Sequence, residues 1–229
     1  MSESRIETSL STRDLSLDTL KCILMFFVVL GHILEEFGTT GYFGTVRSMI
    51  YCFHMPTFVF LSGYFSKKAE KAANKAFKTC LIPFLVYNTF FCLMAGKYDF
   101  LTPQYLYWYL LSLFFWRISS IAFQNLKFVM PFSILLALYA GTIEGADRFL
   151  AISRTLCFFP FFWAGMLMKP EMLAKLKKIP VYVTGGCIVL CETIVVWINR
   201  KGIMPSKMYE LIEPYSKTIP GPLMGGGTA

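Results

Sequence analysis

The chain has 229 residues, 55% of them hydrophobic and 17% aromatic, with a mean hydropathy of +0.54. Apolar residues fall in runs of about 18, which a water-soluble fold of this length does not use, so the expected class is an all-α, polytopic transmembrane helix bundle. The formal net charge of +8 gathers in alternate connections, which is a topology signal and gives no reason to expect nucleic acid as a partner.

Residues 1–14 are polar and read as a cytoplasmic N-terminal tail. No cleavable signal peptide is evident, since the start is polar and no small-residue site follows the first apolar run. Residues 15–198 hold about seven spans, placed at 16–36, 46–66, 78–96, 104–122, 128–142, 148–168 and 180–198. Lys67, Lys68, Lys71, Lys75 and Lys78 follow the second span, Arg117 and Lys127 the fourth, and Lys169, Lys175, Lys177 and Lys178 the sixth. The intervening connections are poor in cations, so the positive-inside rule puts the N-terminus in the cytoplasm and, with an odd span count, the C-terminus outside. Tyr98, Tyr105, Tyr107, Trp108 and Tyr109 at one end of the fourth span read as an interfacial aromatic belt. Residues 199–229 contain no run of spanning length and form a non-spanning tail. The seven cysteines sit mostly inside apolar runs, without Cys-x-x-Cys or Cys/His ligand spacing, and read as small buried hydrophobes; no metal is implied.

The chain has two histidines, one in each of the first two spans. His32 lies roughly 15 Å along its helix from the cytoplasmic end near Cys22, and His54 roughly 16 Å from the matching end near Phe65. Two antiparallel helices therefore carry imidazoles at about one depth, where an ionisable group is a functional candidate by default. On the first helix Lys21 and Asp18 share the His32 face. Glu35 and Glu36 are within a turn of His32 and could orient its ring; alternatively they mark the outer interface, as Lys21 and Asp18 mark the inner one. His54 precedes Pro56, which leaves the Cys52 carbonyl without its helical donor; the segment either lines a polar cavity or is only a proline kink. Lys67, Lys71, Lys75 and Lys78 fall on one stripe of a continued helix, suited to phosphates or, equally, to anionic lipid and topology. Arg154 and Glu192 lie roughly 9 Å inside the outer ends of the sixth and seventh spans. There they either pair or reach the headgroups separately. Arg117 is expected to snorkel to the cytoplasmic surface.

These stretches resemble the acyltransferase 3 family of integral-membrane acyltransferases, and within it the fucose 4-O-acetylase-like sugar O-acetyltransferases. The carrying motifs are Lys21 followed after ten residues by His32, FHMPTFVFLSGYF (53–65), and Lys75 and Lys78 just before CLIPFLVYN (80–88). WYLLSLFF (108–115) and RTLCFFPFFWAG (154–165) match more weakly. The resemblance covers about residues 13–168, with lysine where the broader family pattern has arginine at three positions. The family commonly has about ten spans, so the chain resembles a C-terminally shortened member.

The resemblance implies a multi-pass protein of the cell membrane that transfers an acetyl or other short acyl group from acyl-CoA to a hydroxyl of a cell-surface carbohydrate. His32 would be the general base, with His54 positioning or polarising. Lys21, Lys75, Lys78 and Arg154 would bind donor or acceptor, with Asp18, Glu35, Glu36 and Glu192 in support. Acyl-CoA is a co-substrate, no cofactor is held permanently, and membrane lipid surrounds the chain. Two other classes stay open: a small-molecule or lipid transporter, and an inactive remnant or partner subunit.

Overall fold

The computed structural model describes residues 15–37, 41–104, 106–140 and 150–200. In chain order the helices are α1 (Leu15–Glu36), α2 (Gly41–Phe65), α3 (Ala69–Ala76), a π-helical turn (Phe77–Leu81), α4 (Ile82–Met94), α5 (Tyr107–Phe123), α6 (Val129–Ala140), α7 (Ile152–Leu167), α8 (Pro170–Lys177) and α9 (Val181–Arg200). Each of the seven expected apolar segments contains a helix, from 12 residues in α6 to 25 in α2. Among the described residues, two stretches are by themselves long and apolar enough to cross a bilayer, Leu15–Leu34 and Ala69–Met94.

Two expectations about local structure change. The lysine-rich segment after α2 is helical from Ala69 and runs through the π turn into α4, so Lys67 precedes the helix and only Lys71, Lys75 and Lys78 ride on it, all exposed. Pro83 explains the π turn: it lacks an N–H to bond the Thr79 carbonyl, and the Ile82 N–H reaches back five residues to the Phe77 carbonyl. The connection 169–179, expected as a loop, contains α8.

α2 and α7 form the most extensive helix pair, with α1 and α9 also on α2, α6 on α7, and α5 against both α3 and α7. Their approach depends on two glycines. A Cβ on Gly63 would lie 1.9 Å from the Phe162 carbonyl oxygen, and one on Gly165 would lie 1.9 Å from that of Phe60. Backbone therefore touches backbone, the packing that small residues permit between helices in lipid. Around this crossing Trp116, Phe162, Trp163, Phe159 and Val59 form the core. Ser112 and Thr155 share a hydrogen bond of 2.6 Å, and Trp116 Nε1 donates to the Thr155 carbonyl at 2.8 Å, joining α5 to α7. Ser48, Thr57, Ser62 and Ser66 each bond the carbonyl four residues back along α2, so their hydroxyls are satisfied away from water.

The outside is apolar. Phe26 and Val29 on α1, Val86 and Phe90 on α4, Leu135 and Leu138 on α6, and Ile188 to Leu190 on α9 are all exposed. Apolar surface on this many helices is far beyond what a monomer keeps in water and suits contact with acyl chains.

Candidate functional site

α1 and α2 run antiparallel and bring both histidines to one cavity of about 630 Å³. Its walls come from α1 (Val28, His32), α2 (Tyr51, His54, Phe58), α4 (Tyr87), the connection Thr102–Gln104, the start of α5 (Tyr107, Trp108, Tyr109) and α7 (Arg154, Phe158). Of the cluster expected as an interfacial belt, Tyr107, Trp108 and Tyr109 face inward, and Trp108 is buried and stacks on Phe158 with centroids 5.6 Å apart, whereas Tyr98 is exposed and does not line the cavity. Tyr105 lies outside the described residues. Pattern alone could not separate a belt from a cavity wall, because both ask for aromatics near a helix end.

His54 is buried, and one of its ring nitrogens is fixed. Nδ1 is 2.7 Å from the Ile50 carbonyl oxygen, which can only accept, so the proton sits on Nδ1 and neutral His54 presents Nε2 as an acceptor. α2 continues as helix through Pro56. His32 is half-buried on the α1 side. The Tyr51 ring contacts both, its centroid 6.3 Å from that of His32 and 5.0 Å from that of His54. Sequence reasoning passed over Tyr51, although its place three residues before His54 puts it on the same helix face.

Arg154 reaches the same cavity from α7, its guanidinium 5.4 Å from the Trp108 ring centroid. Among the described residues lining the cavity, Arg154 carries the fixed charge and no carboxylate joins it. The Glu192 and Glu35 side chains lie outside the described residues. α9 packs on α2. Glu36 is exposed at the end of α1 and does not line the cavity.

One wall is a connection held by a buried side chain. Asn88 Nδ2 donates to the Phe100 carbonyl at 2.9 Å, and Asn88 Oδ1 accepts from the Gln104 N–H at 2.9 Å. This clamp keeps Thr102 to Gln104 over the cavity. An asparagine inside CLIPFLVYN is the available sequence signal for it.

The remaining expected residues stand at the other end of the bundle. Lys21 bonds Asp18 at 3.3 Å, and its ammonium sits 3.6 Å from the Phe65 ring centroid, about three helical turns from His32. The pair is partly exposed and of small energetic weight. Lys75 and Lys78 are exposed near this end and do not line the cavity. Lys67 rests 3.7 Å from the Tyr64 ring centroid. Partial burial lowers its pKa from the ordinary lysine value, while the charge of Glu171 on α8 raises it. Arg117, expected to snorkel, instead turns into the protein: Nε donates to Ser66 Oγ at 3.3 Å and Nη1 to Thr79 Oγ1 at 3.1 Å, joining α5, α2 and the π turn. Between Arg117 and the cavity, the Tyr109 hydroxyl bonds Ser62 Oγ.

The sequence pattern of a family described as an acyltransferase domain, acyltransferase 3, matches residues 14–200. The chain belongs to the acyltransferase 3 family. Its members are integral membrane proteins, in keeping with the apolar exterior of this bundle. Over 63 residues the chain is 41% identical to nodulation protein NolL of Mesorhizobium japonicum; that stretch is 26% of this chain and 17% of the relative, so the match spans under a fifth of the relative's length. No solved structure matches the chain. The acyltransferase family, with its acyl donor and acceptor, gives the two-histidine cavity a chemical context that the geometry alone does not.

Proposed function

We propose that the chain is a seven-span O-acyltransferase of the cell membrane, N-terminus in the cytoplasm, that moves an acetyl or other short acyl group from acyl-CoA to a carbohydrate hydroxyl. The carrying observation is that His32, His54 and Arg154, from three different helices, line one largely apolar cavity. The resemblance of residues 53–65 to the sugar O-acetyltransferases supports a carbohydrate acceptor.

In this reading the acceptor hydroxyl loses its proton to His32 as its oxygen forms a bond to the thioester carbonyl carbon. The carbon–sulfur bond breaks, and the leaving thiolate takes up the proton that His32 accepted, which returns the imidazole to its neutral form. His54, with its Nδ1 proton held by the Ile50 carbonyl, offers Nε2 as a second acceptor that helps hold the acceptor hydroxyl in place. Neutral His54 has no donor on the cavity side with which to polarise a carbonyl; Arg154 has the charge for that role. Lys75 and Lys78 hold donor phosphates at the cytoplasmic end, which requires the donor's arm to span roughly 16 Å to reach the histidine level.

The test is transfer from labelled acetyl-CoA in membranes expressing the full chain, with His32→Ala and His54→Ala beside it. Loss of a proton acceptor lowers kcat by about 10²-fold or more. Transfer by the variants at the wild-type rate would remove the imidazoles from the mechanism, and no label reaching any hydroxyl in wild-type membranes would remove the activity.

A further inference from the structure

From the placement of its ring we infer that Tyr51 is a positioning residue, an aromatic wedge that sets the orientation of both imidazoles for proton transfer. The inference rests on the acyl-transfer reading above for its functional half and on geometry alone for its structural half.

Three observations carry it. The Tyr51 ring meets His32 nearly edge-on, at 82° between planes, and meets His54 at 56°, so one side chain contacts both rings. Edge-to-face aromatic contacts at such separations have a preferred geometry and resist rotation of either ring. Protein groups flank the wedge on two further sides. The Arg47 guanidinium carbon, on a side chain almost wholly buried one turn earlier on α2, lies 5.8 Å from the Tyr51 ring centroid. At the far end the phenol comes against α1 beside Gly31, where an added Cβ would lie 3.5 Å from Tyr51 Cζ and 3.6 Å from its oxygen. Arg47, Tyr51 and His54 share one face of α2 at spacings of four and three residues, so one rigid helix carries anchor, wedge and imidazole in register.

His54 is held by the Ile50 carbonyl at one nitrogen, but a single hydrogen bond leaves its ring free to tilt about that contact. The Tyr51 ring removes that freedom. On the α1 side it supplies an edge contact for His32. The role is assigned to the ring, so phenylalanine should serve at this position where an aliphatic residue does not.

The two-histidine composition makes the experiment direct, since histidine-selective ¹⁵N and ¹³C labelling yields two imidazoles. The full chain in lipid nanodiscs is compared by magic-angle-spinning NMR as wild type, Tyr51→Phe and Tyr51→Leu, with acetyl transfer measured on the same samples. The expected result is that Tyr51→Leu moves the ring signals of both histidines and lowers kcat about tenfold or more with the KM for acetyl-CoA unchanged, while Tyr51→Phe keeps both signals and stays within about threefold of wild type. Should Tyr51→Leu not fold, Tyr51→Met, unbranched and flexible, carries the same comparison. The inference is overturned if the aliphatic variant leaves either ring signal in place, if it shifts them at unchanged kcat, or if Tyr51→Phe loses as much as the aliphatic variant. Absence of transfer in the wild type would instead refute the acyl-transfer reading, and the ring signals would still decide whether Tyr51 orients the imidazoles.

Discussion

Gly63→Ala tests the frame that carries the cavity. The new methyl would stand 1.9 Å from the Phe162 carbonyl oxygen and 2.8 Å from its carbonyl carbon, where real Cβ contacts essentially never fall below 3.0 Å. Both obstacles are backbone, so no side chain can rotate away, and α2 and α7 must part by at least about 1 Å at the crossing. Overpacking of this kind costs about 1–3 kcal/mol. His54 lies roughly 13 Å along α2 from Gly63, and Arg154 roughly 12 Å along α7 from Phe162, so stiff helices carry the displacement into the cavity. A 1 Å misplacement of reacting groups lowers a rate by about 10²-fold. Gly165→Ala meets the Phe60 carbonyl in the same way and should behave alike. Gly185→Ala and Gly186→Ala are the controls: nothing lies within 4 Å of either added Cβ, and alanine is the better helix former by about 1 kcal/mol. The assay is thermal unfolding in detergent together with acetyl transfer in membranes. If Gly63→Ala melts with wild-type protein and transfers at the wild-type rate, the close crossing does not position the site.

Asn88→Leu removes the clamp on Thr102 to Gln104 and leaves the Gln104 N–H and the Phe100 carbonyl without it. Thermal unfolding should fall by the equivalent of about 1–3 kcal/mol and the acceptor KM should rise, whereas an unchanged melting curve would show the clamp to be dispensable. Lys75→Ala combined with Lys78→Ala should raise the KM for acyl-CoA with a smaller effect on kcat, because phosphates held there are remote from the reacting carbonyl; an unchanged KM leaves the pair as a topology signal. Cysteines placed at Lys75 and Lys178 should react with an impermeant reagent only after the cytoplasmic side is opened, and labelling in intact cells would reverse the orientation.

Run length and periodicity were enough to expect a helix in each of the seven apolar segments and one histidine on each of α1 and α2, because an apolar run in a bilayer has few alternatives to a helix. Periodicity put Lys21 and Asp18 on the His32 face; in the structure they bond each other near Phe65 and do not line the cavity. It did not say which way a side chain turns once a third helix arrives. Arg117 had the spacing of a snorkelling cation, and the meeting of α5, α2 and the π turn drew it inward to Ser66 and Thr79. Trp108 and Tyr109 had the position of a belt, and the neighbouring α7 made them wall and core. Tyr51, Asn88 and the Gly63–Gly165 crossing depend on contacts between segments far apart in the chain, which no local period encodes. The chain's own pattern chose helices and their order; the close approach of α2 to α7, possible only where two glycines leave backbone bare, decided which residues share the cavity.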